Sequence, residues 1–291
     1  MNPKITKRGV LKRIHYPSSY DDILAESEII GIMLGDGNIM HNKRSIRLRV
    51  RELDFCLNFK RLVEKTYRIN TTLDNKYYYN CYANSTLLTQ RIIRLTNGNK
   101  EIPEFILGGD NKIKARFLRG FFDSEGSVDL IENRRQIVLT QNNEKMLLQI
   151  KSLLWDLEIQ SKYVKKRIGS DKLIISLLEN LEKYRNLIGF SIGYKQQKLK
   201  KAIEYLKFCK AHDKEKYWEV LRHWSNSKKS LRGSAKEMDM NWETYRTWIY
   251  GMKTPCQIRM DLSYGLVPKD YKKLIKEYRF LPQINKMEKL K

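Results

Sequence analysis

Two stretches of similar sequence decide how this chain folds: IIGIMLGDGNI at residues 29–39 and LRGFFDSEGSV at residues 118–128. When the two are aligned, an acidic residue lies over an acidic residue, Asp36 over Glu125, and a glycine follows each acid. Glycines also align earlier in each stretch. An internal repeat of this kind predicts a duplicated structural unit.

The same order of predicted elements follows each copy. An extended run, at residues 46–50 and 136–140, precedes an apolar-periodic helix, after which come two short strands and a further helix. Hairpins pair locally and leave one sheet face for helices, so each unit is expected to form a four-stranded antiparallel sheet. The predicted fold class is therefore α+β: a duplicated α-β-β-α-β-β-α arrangement with pseudo-two-fold symmetry and a helical C-terminal extension.

The repeat also predicts how the chain divides into domains. Residues 1–20 form a basic N-terminal arm, residues 21–112 the first repeat, and residues 113–210 the second. Residues 211–291 form a helical domain in which residues 230–255 resemble a helix-turn-helix. An ordinary helical cap on the duplicated core is the alternative for this last domain.

The charge of the chain indicates its class of partner. Lys and Arg number 57 against 33 Asp and Glu, giving a formal net charge of +24. Such a surface favours a polyanion, and double-stranded DNA is the leading candidate because neutralised phosphates release their counterions. We find no membrane anchor or secretory signal, and the four cysteines lack metal-ligand spacing. We expect an intracellular protein, cytoplasmic in a prokaryote or organellar in a eukaryote.

Small residues in the two motifs explain how the acids could meet. Each motif helix carries two of them four apart on one face: Gly31 and Gly35 in the first, Gly120 and Ser124 in the second. Such faces let two helices approach closely at the backbone. Packing about a pseudo-two-fold axis would make the two acids neighbours. Their mutual repulsion would be relieved by divalent cations with hard oxygen ligands.

These motifs resemble the LAGLIDADG motif, and the chain is identified by resemblance as a monomeric, two-motif member of the LAGLIDADG homing endonuclease family. The resemblance implies a site-specific endonuclease that hydrolyses double-stranded DNA at a long, imperfectly palindromic target. It implies that Asp36 and Glu125, with the backbone carbonyls of Gly35 and Ser124, bind two or three Mg²⁺ ions. Mn²⁺ or Ca²⁺ could substitute for binding. The fold that it implies presents its antiparallel sheets as a saddle.

Further site residues are expected around the metals, where the family places basic or amide side chains. The candidates are Gln141, Arg51 and Lys195, of which Lys195 is the preferred electrostatic stabiliser. For each, a solvated surface residue is the alternative. Asp123 aligns with Leu34, so this position cannot be a symmetrical catalytic element, and Asp123 is left out of the metal site.

DNA contacts are expected on the sheet face that the helices leave open, since alternating side chains there can lie along the major groove. A second set is expected on the second helix of the predicted helix-turn-helix. The candidates are Arg44, Arg47, Arg49, Lys76, Tyr78 and Asn80 in repeat one; Asn133, Arg135, Lys162, Lys165, Arg167 and Lys172 in repeat two; and Thr244, Tyr245 and Arg246 in the C-terminal domain.

Two other functions fit the same residues. One is an intron-RNA maturase on the same fold, and the other is a catalytically inactive DNA-binding regulator. Retention of both acids favours DNA cleavage over the second. We do not expect a self-splicing protein, because the chain begins with Met and its end, NKMEKLK, lacks a His-Asn pair.

Overall fold

The structure is a computed structural model that describes residues 14–98, 100–131, 134–166, 168–208 and 214–250. Contacts divide the chain into two compact units, Met1–Leu206 and Lys207–Lys291. The first unit contains both repeats.

Each repeat has the predicted order of helix, hairpin, helix, hairpin and helix. Repeat one consists of α1 (Tyr20–Leu34), β1 (Gly37–Ile39), β2 (Ser45–Val50), α2 (Leu53–Tyr67), β3 (Thr72–Asn75), β4 (Tyr79–Asn84) and α3 (Thr86–Leu95). A short helix, α4 (Glu104–Leu107), lies in the connection. Repeat two consists of α5 (Asn111–Glu125), β5 (Gly126–Ile131), β6 (Arg134–Gln141), α6 (Glu144–Asp156), β7 (Lys162–Val164), β8 (Asp171–Ile175) and α7 (Leu178–Leu187), and α8 (Gly193–Phe208) follows it. The predicted α+β duplication is confirmed.

The two sheets have the same antiparallel topology, with strand orders β1-β2-β4-β3 and β5-β6-β8-β7. In each sheet the second strand is central, and alternate side chains along it are buried. Examples are Ile46 and Leu48 in β2 and Ile137 and Leu139 in β6. These side chains belong to one hydrophobic core that both repeats share. One face of each sheet therefore packs on the core, and we call the opposite face the open face.

Helix starts are set by side-chain caps. Ser19 accepts a hydrogen bond from the Asp22 amide at the start of α1, and Asp110 accepts bonds from two amides at the start of α5. Such caps satisfy amides that have no partner within the helix. The motif helices of both repeats thus begin with a side-chain N-cap, although the capping residues differ.

Buried charges in α1 are paired. Glu26, 3% exposed, accepts two hydrogen bonds from Arg91 at 2.6 and 2.8 Å and one from the Tyr67 hydroxyl at 2.7 Å. Glu28 accepts bonds from Asn58 and from Arg116 of α5. A buried carboxylate without partners would be costly, so these bonds let α1 carry charge within the core.

The second unit has its own small core. Its described helices are α9 (Lys214–Asn226), α10 (Leu231–Glu237) and α11 (Trp242–Ile249). Tyr217, Trp218, Tyr245 and Trp248 pack together there with aliphatic side chains. Across the described part of the chain, no helix is both long and apolar enough to cross a membrane.

Candidate active site

The helices α1 and α5 touch at the backbone where two glycines face each other. A Cβ added at Gly31 would lie 2.2 Å from the Phe117 carbonyl oxygen, and one added at Gly120 would lie 2.2 Å from the Glu28 carbonyl oxygen. No side chain fits at such distances, so both positions require glycine for this packing. The contact is reciprocal, as a pseudo-two-fold relation requires.

One turn further along, the helix ends bring the two motif acids into the same neighbourhood. A Cβ added at Gly35 would lie 2.3 Å from the Ser124 Cβ and 3.4 Å from the Glu125 Cγ. Asp36 follows Gly35 directly, and Glu125 is the last residue of α5. The structure therefore places the two acids side by side across the helix pair.

The glycine after each acid lies where the chain leaves the helix for the strand. Gly126 has an ordinary φ of −89°, but a Cβ on it would lie 2.6 Å from the Phe122 carbonyl oxygen. At Gly37 a Cβ would lie 2.4 Å from the Met33 Cα. The strand leaves so close to the preceding helical turn that a side chain does not fit.

Both acids have raised pKa values. Burial raises the pKa of Asp36, which nearby Glu52 raises further and Lys195 lowers. Burial likewise raises the pKa of Glu125, and the negative charge of Asp36 adds to the effect while Lys195 opposes it. The two carboxylates thus repel each other in a partly desolvated place, where a bound cation would stabilise both.

The positive charge of Lys195 acts on both acids. It lies in the first turn of α8, is 6% exposed, and its Nζ donates to the Asp123 carbonyl oxygen at 2.5 Å. Burial lowers the Lys195 pKa, whereas Asp123, Glu52 and the two motif acids raise it. The structure therefore brings the predicted electrostatic stabiliser to the predicted acids.

Asp123 has a structural environment that differs from that of the motif acids. Its carboxylate accepts hydrogen bonds from the backbone amide of Ser191 at 3.1 Å and from the Ser191 hydroxyl at 2.6 Å. Burial raises its pKa to about 6. Asp123 thereby fixes the chain just before α8, which agrees with leaving it out of the metal site.

Two contacts in this region were missed by sequence reasoning. The Asp54 carboxylate accepts a hydrogen bond from the Gly193 amide at 2.6 Å, and the Tyr194 hydroxyl donates to Glu52 at 3.5 Å. The start of α2 in repeat one therefore holds the start of α8, which carries Lys195. Their sequence positions give no signal of this contact, because it joins residues about 140 apart.

The donor set suits a hard divalent cation whose remaining ligands come from elsewhere. Within the described ranges, no group of three or more His, Cys, Asp or Glu side chains is placed to hold a metal by itself. Asp36 and Glu125 supply two carboxylates, and the carbonyls of Gly35 and Ser124 lie in the adjoining peptide units. A Mg²⁺-like ion that keeps waters and takes phosphate oxygens fits such an incomplete oxygen set.

Two further candidate catalytic side chains have other described contacts. Arg51 follows β2, and its guanidinium lies 5.6 Å from the centre of the Tyr78 ring. Gln141 has the strand parity of Leu139, which is buried in the core, and its Oε1 accepts a hydrogen bond from the Asn142 amide. The catalytic roles of Arg51 and Gln141 remain predictions.

The register defines which side chains share the open face, because directly paired residues point to the same side. In repeat one, Arg47 pairs with Tyr82, and Arg49 pairs with Asn80. Tyr78 and the exposed Lys76 lie in the β3–β4 turn, and Arg44 lies in the β1–β2 turn. In repeat two, Lys172 pairs with Thr140, and Lys162 pairs with Ile174. The structure places these predicted residues on or at the rim of the open faces.

Two predicted contacts in repeat two are corrected. Arg135 has the parity of the buried Ile137, and its guanidinium lies 3.4 Å from the centre of the Tyr205 ring on α8. Lys165 binds both oxygens of Glu144, the first residue of α6, at 3.0 Å. Strand alternation turns Arg135 to the helix side, whatever its charge, and the contact with Glu144 holds Lys165 beside α6. The predicted Asn133 and Arg167 lie outside the described residues.

In the second unit the predicted contact helix is α11. Arg246 is exposed and Thr244 half-buried, but Tyr245 is fully buried, with its hydroxyl 3.0 Å from His223 Nδ1. Tyr245 is thus a core residue, and its prediction as a DNA contact is corrected. The aromatic ring fills the space between α9 and α11.

Comparisons with known proteins give one family and a set of similar chains. Residues 112–189 match the family model described as a LAGLIDADG-like domain. Glutamine–fructose-6-phosphate aminotransferase of Methanocaldococcus jannaschii is 28% identical over 62% of this chain and 17% of its own length. A probable translation initiation factor IF-2 of Thermococcus kodakarensis is 29% identical over 69% of this chain and 18% of its own. The chain thus spans less than a fifth of the length of these relatives.

Solved structures that match this chain include DUF199/WhiA and two homing endonucleases. Full-length DUF199/WhiA from Thermotoga maritima has a TM-score of 0.48 at 15% identity, covering 79% of this chain and 90% of that one. The homing endonuclease I-DmoI in complex with DNA and Ca has a TM-score of 0.47 at 12% identity, covering 62% and 98%. I-WcaI bound to its DNA recognition sequence has a TM-score of 0.46 at 14% identity, covering 60% and 86%.

Proposed function

Because this chain contains a LAGLIDADG-like domain, we propose that it is a homing-type endonuclease that cuts double-stranded DNA at a long, imperfectly palindromic site. The observation that carries the proposal is the placement of Asp36 and Glu125 at adjacent helix ends, across a backbone contact that admits only glycine at Gly31 and Gly120. A purely structural role would not require one acid from each repeat at this crossing.

The chemistry assigns different work to different groups. Divalent ions at the two acids would supply an activated water and stabilise the leaving oxygen. Asp36 and Glu125 hold the charge that binds them, with the carbonyls of Gly35 and Ser124 beside. Lys195 faces the same place as a buried cation, where a phosphodiester gains negative charge during attack. The open faces of the two sheets hold the duplex in register by contacts to phosphates and bases.

The curated relatives support a mobile gene over a fixed cellular role. They are named for unrelated activities, among them an aminotransferase, an initiation factor and a DNA polymerase. In each relative, the segment that matches this chain is only a small part of the relative's own length. A segment shared by such different proteins is expected of an element that moves between genes. Homing, in which DNA cleavage promotes insertion, would give this distribution.

The helical second unit is proposed as a second DNA contact. Its described helices α10 and α11 are joined by a short turn, as in a helix-turn-helix, and α11 exposes Arg246. The contact would use Thr244 and Arg246, since Tyr245 lies in the core.

A cleavage selection tests the nuclease proposal. The full chain is incubated with a plasmid library carrying random-sequence inserts, together with DNA flanking the insertion site of its own gene. We expect linear product with Mg²⁺ or Mn²⁺, and none with EDTA. The sequenced ends should share one long site whose halves are related but unequal.

The two alternative functions, an inactive regulator and an intron-RNA maturase, predict other results in assays of the same protein. Sequence-specific duplex binding without any cut in Mg²⁺ or Mn²⁺ would contradict the nuclease proposal and favour an inactive regulator. Tight binding to structured intron RNA, with neither duplex selection nor cleavage, would contradict it in favour of a maturase.

A further inference from the structure

The two open faces occupy equivalent places relative to their acids, so they can be compared position by position. The β1–β2 pairing ends at Gly37 and Leu48, which makes Arg49 the residue opposite Asp36. The β5–β6 pairing ends at Gly126 and Leu139, which makes Thr140 the residue opposite Glu125. The next open-face row contains Arg47 in repeat one and Val138 in repeat two.

In repeat one these rows carry arginines. Arg49 has its guanidinium 4.5 Å from the centre of the Tyr78 ring, which limits how far the side chain can swing. The Arg47 Nε is buried and has no hydrogen-bond partner. Across the strands, Arg47 pairs with Tyr82 and Arg49 with Asn80. Planar guanidinium groups and amides are the side chains that read guanine and adenine edges in the major groove.

In repeat two, one of the matching rows has an apolar centre. Val138 pairs with Ile174, the Ser127 hydroxyl on the same row donates to the Val138 carbonyl, and Thr140 occupies the place of Arg49. Val138 is 6% exposed but lies outside the hydrophobic core on the helix side, as expected for the open face. Methyl groups at this place match the C5-methyl group of thymine.

The polar side chains around these rows in repeat two leave Ile174 and Val138 as the apolar centre of the face. Lys162 and Lys172 flank the apolar pair and suit phosphates, so the face still favours DNA. One row further out, the Gln136 amide donates to Asp129 at 3.1 Å and is therefore engaged within the sheet.

Resting on the proposed DNA-binding function, we propose that the two half-sites differ in base chemistry at equivalent positions. Repeat one reads guanine through Arg47 and Arg49, and repeat two reads thymine through the half-buried Ile174. The target is therefore an imperfect palindrome whose symmetry breaks at these base pairs.

The test modifies the DNA, so it does not depend on a variant that folds. Duplexes bound by the full chain in Ca²⁺ are selected from a random-sequence library, and the affinity of the selected duplex is then measured after base replacement in one half at a time. Replacing guanine by 7-deazaguanine in the repeat-one half should weaken binding by about tenfold or more, because a bidentate arginine contact is lost. Replacing thymine by deoxyuridine in the repeat-two half should weaken it roughly threefold for each methyl group in contact.

Variants assign each half to its sheet. Arg47→Ala and Arg49→Ala should each reduce the 7-deazaguanine effect and together abolish it, and Arg135→Ala, which changes an arginine on the helix side, should leave it intact. Ile174→Ala should abolish the deoxyuridine effect, while Leu148→Ala, on the outer side of α6, should not.

The outcomes separate this inference from the function on which it rests. Failure to select any duplex would refute the proposed function and this inference together. Selection of a defined site whose two halves respond alike to both base replacements would refute the inference and leave the endonuclease intact.

Discussion

At the scale of single residues, the site depends on a buried lysine held against four acids. Lys195 donates to the Asp123 carbonyl, and Asp36, Glu125, Asp123 and Glu52 all act on its charge. An ammonium group kept in a water-poor place interacts more strongly with a phosphate than one in solvent. In the proposed cleavage reaction, Lys195 would therefore stabilise the charge that develops on the phosphate.

Lys195→Met should therefore slow cleavage while sparing DNA binding. We expect the single-turnover rate constant with Mg²⁺ to fall roughly 10²-fold, because one preorganised electrostatic contact is lost. Affinity for the selected duplex in Ca²⁺ should change little. Lys200→Met is the matched control on the same helix, since Lys200 is exposed and pairs with Glu204. An unchanged cleavage rate in Lys195→Met would show that this cation has no part in the reaction.

The sequence predicts some of these residues and misses others for physical reasons. Asp36 and Glu125 could be predicted because an acid occurs at the same position in both copies of the repeat. Glu52 and Asp54 could not, because their contacts with Tyr194 and Gly193 exist only after α8 packs against repeat one. The predicted alternation puts Arg135 on the open face, but Arg135 shares the parity of the buried Ile137 in the same strand, which gives the opposite face.

At the scale of elements, the crossing of α1 and α5 is the contact on which the site depends. The helices meet without intervening side chains at Gly31 and Gly120, and the acids lie at the same end of both. Widening this crossing would separate the acids as well as open the core.

Gly120→Ala should destabilise the protein and reduce cleavage. Its new Cβ would lie 2.2 Å from the Glu28 carbonyl oxygen, so the helices must separate, at a cost of about 1–3 kcal/mol in the free energy of unfolding. Gly108→Ala is the control, because the nearest heavy atom to its added Cβ is 3.5 Å away. Chemical denaturation of both variants measures the difference. Equal stability of the two would contradict the close backbone contact.

Element boundaries follow the sequence closely where a periodic core face or a cap defines them. The helix predicted after the second pair of strands is observed at Thr86–Leu95, capped by Ser85. The strand β3 begins only at Thr72, because Arg68 ends α2 in a left-handed conformation and the chain straightens afterwards. Short exposed strands lack the buried alternation that would fix their ends.

At the scale of the whole molecule, the duplication explains both the fold and the shared site. Each repeat supplies one sheet, one helix of the crossing and one acid, while the net charge of +24 suits a nucleic-acid partner. The two-repeat architecture could be predicted because the motif, its spacing and the elements after it all recur. Differences between the open faces depend on strand register, which the sequence leaves ambiguous at hairpins with loosely defined ends.

The measurement that tests the central claim most directly is double-strand cleavage of the selected duplex by Asp36→Asn and Glu125→Gln, with Mn²⁺ binding to each protein–duplex complex followed by electron paramagnetic resonance. The account predicts that each variant loses cleavage by at least about 10³-fold and binds Mn²⁺ more weakly, because both acids serve one shared site. Glu158→Gln, at an exposed surface pair with Lys183, should behave as the unmodified protein. Full cleavage and unchanged Mn²⁺ affinity in either acid variant would contradict the account.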